Sequence, residues 1–144
     1  GIGAARLVAH DLAQKLMRVD KGCHLYDDWH DQLLCAKNMH EGDMAIAFSY
    51  SGLTQEVLDC TVEAQRHNCP VVAVTKVDGS SKLATMADAV LGVAASEPLV
   101  RSGAMASRMA QLMVVDALYA AYVASDYERA THVIKQNYIE KQER

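Results

Sequence analysis

The stretch that most limits what this chain can fold into is Met44-Ala45-Ile46-Ala47-Phe48-Ser49-Tyr50-Ser51-Gly52-Leu53-Thr54-Gln55-Glu56. The unbroken apolar run from Met44 to Phe48 predicts a strand buried on both faces, as in a parallel sheet. The chain then turns polar at Ser49, Ser51, Gly52 and Thr54. From Thr54 to Asn68 the spacing of Val57, Leu58, Thr61, Val62 and Ala64 predicts a helix with one buried stripe. A hydroxyl-rich turn therefore lies where a strand ends and a helix begins. Backbone amides at such a helix start are unpaired and carry the positive end of the helix dipole. Three hydroxyls and a glycine in that place suit a phosphate. Ser51 or Thr54 acting as an ordinary helix cap accounts for the same residues, so both readings stand at this point.

The rest of the chain alternates in the same way. Gly1-Ile2-Gly3 opens directly onto a helical pattern from Ala4 to Val19, carried by Val8, Leu12, Leu16 and Val19 and stopped by Gly22. Two glycines in that position fit a strand-to-helix turn whose strand is absent from the chain. Cys23 to Tyr26 is a short extended piece, and Asp31 to Met39 a second helix. Asp27-Asp28-Trp29-His30-Asp31 is the densest polar cluster, read as that helix's start with Asp27 or Asp28 as cap. After the turn Glu41-Gly42-Asp43 and the strand above, Pro70 to Thr75 is a β-branched strand opened by proline. A short helix over Lys82 to Ala87, a strand over Ala89 to Val93 and a loop from Glu97-Pro98 to Gly103 follow. Two helices close the chain: Met-rich from Ala104 to about Ala124, and amphipathic from Tyr127 to about Lys141. In the second, Tyr127, Ala130, Ile134, Tyr138 and Lys141 share a face. Strands alternating with helices predict an α/β fold, a doubly wound three-layer sandwich with a mostly parallel sheet flanked by helices. Ligands of such sheets bind at the carboxyl ends of strands, where both Gly1 to Ala5 and Ser49 to Thr54 fall.

Composition removes several function classes. A chain of 144 residues with a net charge of −4 is one domain by length and a poor partner for nucleic acid by itself. Cys23, Cys35, Cys60 and Cys69 form no C-x-x-C, and the six histidines are scattered. Free thiols in a reducing, cytoplasmic compartment are the expectation, with no metal and no cofactor. Arg108, Gln111 and Asp116 interrupt the apolar run from Ala104 to Ala124, which argues for a buried helix rather than a membrane span. A dinucleotide site fails because Arg6 stands where the third glycine of the fingerprint belongs. Nucleophilic catalysis fails because Ser51-Gly52 lacks the G-x-S-x-G elbow. Sugar-phosphate isomerisation remains open: the cradle is present, and Glu56 and Glu97 are the available carboxylates. Plain alternatives are an acid favoured by the dipole in a first helical turn for Glu56, and a loop surface residue for Glu97.

The run Phe48 to Glu56 resembles the S-x-S-G-x-T-x-E signature of sugar isomerase (SIS) domains. Gly1-Ile2-Gly3-Ala4-Ala5 is similar to the G-x-G-x-S turn after that domain's first strand. Val74-Thr75, Ser81-Lys82-Leu83-Ala84 and Ala87-Asp88 resemble its next elements. Ser107-Arg108-Met109-Ala110-Gln111-Leu112 with Asp116-Ala117-Leu118 resembles a helix of RpiR-type bacterial transcription regulators. The resemblance implies a five-stranded sheet, usually dimeric, with the first strand missing here. It further implies a phosphosugar held by Ser49, Tyr50, Ser51, Gly52 and Thr54, with Gly3, Ala5, Glu56 and Glu97 around it. In such regulators the domain senses and catalyses nothing, while a helix-turn-helix domain, absent from this chain, binds DNA. The family serine is replaced here by Ala5, which removes a ligand hydrogen bond worth about 1.5–3 kcal/mol.

The expected function is thus a phosphosugar-sensing and dimerisation domain spanning residues 1–144, with no catalytic residues. A phosphosugar isomerase and a dimerisation module with an inactive pocket are the alternatives. The long helix carries more apolar surface than one sheet face can cover, so Met109, Leu112 and Met113 are expected in a homodimer or higher homo-oligomer interface.

Overall fold

A computed structural model describes residues 1–97 and 103–139. Pro98, within the expected loop, and Lys141, on the expected face of the last helix, lie outside the described residues. The elements are α1 (Ala4–Met17), α2 (Trp29–Lys37), β1 (Ala45–Phe48), α3 (Gln55–Arg66), β2 (Val71–Thr75), α4 (Lys82–Met86), β3 (Ala89–Gly92), α5 (Met105–Ser125) and α6 (Tyr127–Gln136). The three strands form one parallel sheet in the order β1-β2-β3. Register pairs Phe48 with Val74 and Thr75 with Gly92. The five strands that the resemblance implies are thus three among the described residues. Cys23 to Tyr26 joins no ladder, and the three strands follow one another without a reversal of order.

Each face of the sheet carries its own core. On one side Ala47, Val71 and Ala73 pack with Val57, Leu58 and Ala64 of α3 and Leu83 of α4. On the other, Phe48 and Val74 pack with Val8, Ala9 and Leu12 of α1 and Val115 of α5. Three of the five β2 residues, Val71, Ala73 and Val74, are hydrophobic and fully buried, which explains why this strand reads as continuous rather than alternating. Lys15 joins α1 to α5 by bonding Asp116 at 2.9 Å, and it also pairs with Asp11 on its own helix. Those two carboxylates, Asp11 first, hold its ammonium pKa above the ordinary value.

Differences from the sequence expectations have local causes. Helix α1 stops at Met17 rather than Val19 because Asp20 takes a left-handed turn (φ 55°) and Lys21 N–H donates back to Leu16. That closure is a Schellman turn, and it makes Gly22 unnecessary as the stop. Asn68 (φ 57°) closes α3 the same way, with Cys69 N–H on Ala64 O. Val62 was expected in the buried stripe but is 37% exposed. Helix α2 starts at Trp29, two residues early, because Asp28 caps it by accepting from His30 N–H at 2.8 Å. Helix α6 ends at Gln136, and while Ala130 is buried, Tyr127 and Tyr138 are exposed at its two ends. All four cysteines are free thiols, and burial raises the pKa of Cys35 and Cys60. No described helix is long and apolar enough to cross a membrane.

Candidate functional site

The turn from Ser49 to Thr54 lies at the carboxyl end of β1, and its shape depends on Gly52. Gly52 has φ +67°, a region that disfavours side chains. A Cβ there would fall 1.8 Å from Ser81 Oγ and 2.9 Å from Thr75 Oγ1. Thr75 ends β2 and Ser81 caps α4, with Ser81 Oγ accepting from Ala84 N–H. The two hydroxyls bond each other at 2.9 Å. Leu83 N–H donates to Gly52 O, and Lys76 N–H donates to Tyr50 O. The β1 turn is therefore clamped onto the β2–α4 connection. Thr75 and Ser81 are the scaffold of the turn, and no sequence reasoning had marked them as functional. Their signal was a hydroxyl at a strand end and another at a helix cap.

Inside the turn the hydroxyls divide their work. Ser49 is only 3% exposed, and its Oγ bonds Thr54 Oγ1 at 2.9 Å and accepts from Gly52 N–H at 3.2 Å. Thr54 stands at the cap position of α3, yet its side chain caps nothing. The amides of Gln55 and Glu56 have no intrahelical acceptor. Ser51 is partly exposed, and its Oγ accepts only a long bond of 3.3 Å from Leu53 N–H. Tyr50 reaches across to the segment that follows β3, its hydroxyl donating to Ala95 O at 2.7 Å. Between Ser49 and Glu56 the turn has no cationic side chain, so any anion there meets amides, hydroxyls and the α3 dipole.

The start of α1 adds a second open helix head beside the first. Gly3 (φ 58°) is its cap residue and has no side chain to cap with. A Cβ on Gly1 would lie 3.2 Å from Phe48 Cβ, which puts this segment against the end of β1. Ala5 packs among the residues of the α1–α5 core. Glu56 is partly exposed in the first turn of α3. Glu97 lies two residues after the Ala95 carbonyl that Tyr50 bonds, and its Oε1 accepts from Ser107 N–H at 2.8 Å, at the head of α5. The β1 turn and the α1 head thus come together, and Glu97 caps the head of α5. Among the described residues no three His, Cys, Asp or Glu side chains converge as metal ligands would.

Comparison with known proteins gives a consistent family. The family model for the SIS domain matches residues 1–121. An uncharacterised HTH-type transcriptional regulator of Caldanaerobacter subterraneus subsp. tengcongensis is 39% identical over 127 residues, 88% of this chain and 45% of that protein. The uncharacterised HTH-type transcriptional regulator YbbH of Bacillus subtilis is 34% identical over 135 residues, 93% of this chain and 47% of that protein. The chain thus spans about half the length of these relatives. Among solved structures, the NanR protein of Vibrio vulnificus, complexed with ManNAc-6P, superposes with a TM-score of 0.86 at 30% identity. The match covers 94% of this chain and 51% of that one. The sugar isomerase domain of an RpiR transcription factor from Sphaerobacter thermophilus shares the fold, with a TM-score of 0.81 at 23% identity over 94% of this chain and 74% of that one. With the family match running from the first glycine turn through most of α5, the chain belongs to the SIS domain family.

Proposed function

We propose that this domain is the phosphosugar-sensing effector domain of an RpiR-type transcription regulator, with the phosphate seated between the Ser49–Thr54 turn and the head of α1. The observation that carries this reading is the placement of Thr54. It stands where a cap belongs, and its hydroxyl goes to Ser49 instead, leaving the first-turn amides of α3 for an anion. Ser51 and those amides take the phosphate. Ser49, Gly52 and Thr54 hold the turn in shape, Tyr50 braces it against the segment after β3, and Gly3 and Ala5 form the opposite wall. The NanR complex with ManNAc-6P supports a sugar phosphate as the ligand class. The kinship to named transcriptional regulators supports sensing over catalysis, as does Glu97, which serves α5 as a cap. DNA contact then belongs to a part of the whole protein that this chain does not span.

The domain also pairs with a second copy through α5. Met105, Met109 and Met113 are exposed at four-residue spacing, one continuous apolar stripe. Leu112, expected in that interface, packs inward against the α1–α5 core, so the stripe consists of the three methionines. Light scattering at micromolar concentration gives the mass of a dimer in this reading and of a monomer if it is wrong.

A thermal-shift screen tests the ligand. One sugar phosphate raises Tm well beyond inorganic phosphate, the rise disappears in Ser51→Ala, and no product forms. Product formation instead makes the domain an isomerase. The absence of any shift across the panel leaves the dimerisation module with an inactive pocket.

A further inference from the structure

We infer that Tyr50 is a positioning residue whose hydroxyl relays occupancy of the β1 turn to the head of α5, an inference that rests on the ligand reading above. Helix α5 starts without a cap of its own. Ala104 stands at its cap position in a left-handed conformation (φ 56°) and makes no side-chain cap bond. The first-turn amide of Ser107 is closed instead by Glu97 Oε1 at 2.8 Å, a carboxylate borrowed from the segment after β3. How well α5 is capped therefore depends on where that segment is held.

Two bonds tie the segment down. Val93 N–H donates to Thr75 O at 2.9 Å, which fixes its start to the end of β2. Ala95 O accepts from the Tyr50 hydroxyl at 2.7 Å, and Glu97 follows two residues later. Tyr50 is itself part of the turn, between Ser49 and Ser51. A ligand that fixes the turn thus fixes Tyr50, then the Ala95 carbonyl, then the carboxylate that caps α5, each step a bonded contact. Farther along α5, Gln111 is 1% exposed, and its Nε2 lies 3.5 Å from Val74 O, the oxygen that also accepts from Ser49 N–H at 3.2 Å. The body of the helix is thereby anchored on β2, and the head is the part left to open and close. Met105, at that head, begins the exposed methionine stripe, so the relay ends on the face proposed to pair with a second copy.

The test measures amide hydrogen exchange by NMR in this chain, without and with saturating inorganic phosphate. Phosphate slows exchange of the Ser107 and Arg108 amides about fivefold, while the His30 amide, at the sealed head of α2, keeps its rate. Tyr50→Phe, compared at its own saturating phosphate concentration, brings the ratio of the two rates to one. A purely structural role for the hydroxyl would speed exchange equally in both states and leave the ratio as it was. Glu97→Ala removes the cap and also brings the ratio to one, which decides the matter if Tyr50→Phe folds poorly. Retention of the ratio in either variant overturns the relay alone. So does a ratio of one in the unaltered chain when its Gln55 and Glu56 amides respond to phosphate. Failure of those two amides to respond overturns the ligand reading and the relay together.

Discussion

The heads of the helices fall into two groups, and the contrast between them is the most informative feature of the molecule. Helices α2, α4 and α6 are closed by their own cap side chains, Asp28, Ser81 and Asp126. Helix α5 is closed by a borrowed carboxylate, that of Glu97. Helices α1 and α3 are closed by neither, and these two meet at the carboxyl end of β1. Leaving a cap unmade costs about 1 kcal/mol, and Thr54 has the hydroxyl to make it. Where the chain needs a helix only for packing, the head is sealed, and where two heads face one place they are left open. In the proposed reading the open pair is the anion site, held in shape by Thr75, Ser81 and Gly52.

Substitutions that break this contrast differ widely in expected size. Gly52→Ala has the largest effect: its Cβ collides with Ser81 Oγ at 1.8 Å and its φ is unsuited to alanine. A loss of about 3 kcal/mol or more is expected, seen as a large fall in the urea midpoint together with loss of ligand binding. Leu83→Ala, in the core under the turn and fully buried, costs about 2–5 kcal/mol. Ser81→Ala removes the α4 cap and the partner of Thr75, for a cost of about 1–2 kcal/mol. The measurement is chemical denaturation of each variant beside the unaltered chain. Ser51→Ala sharpens the contrast from the other side. Its one long intramolecular bond makes a stability change of less than about 0.5 kcal/mol the expectation, while sugar-phosphate binding is lost. A stable Ser51→Ala that binds as before would place the ligand elsewhere.

The smallest effect concerns the back of α1. The His10 imidazole, bonded to Asp27 at 2.7 Å, and then the Arg6 guanidinium hold the Asp27 carboxyl below the usual carboxylate range. A depressed folded-state pKa stabilises above the unfolded value of about 3.9, and the contribution is lost as pH falls through the folded value. Asp27 is exposed, so Asp27→Asn lowers Tm at pH 7 by no more than about 3 °C. Melting curves of the two proteins should converge as pH falls through the depressed native value of the Asp27 carboxyl.

Much of this was legible in the sequence, for identifiable reasons. The β2 run Val71 to Thr75 and the β1 run before Ser49 are continuous because both faces of those strands are covered. The turn stood out because Ser49, Ser51, Gly52 and Thr54 interrupt that apolar pattern at once. What the sequence concealed depends on contacts distant along the chain. Asp20 and Asn68 end their helices by adopting left-handed conformations, which a glycine would have announced and these residues do not. Thr75 and Ser81 support the turn only because β2 lies beside β1. Thr54 reads as a cap from composition alone, and its bond to Ser49 is what reverses that reading. Val62 has the right period for the core, but it lies at the edge of the buried stripe formed by Val57, Leu58, Thr61 and Ala64 and is exposed.

The central claim is that the two unsealed helix heads receive the phosphate. The most direct measurement is an amide NMR titration of this chain with the sugar phosphate that gives the largest thermal shift. The account predicts large shifts for the amides of Ala4, Ala5, Gln55 and Glu56. Those of His30, Ala84 and Arg129, at the sealed heads of α2, α4 and α6, should stay nearly still. Shifts confined to the sealed heads, or spread evenly over all five, would contradict it.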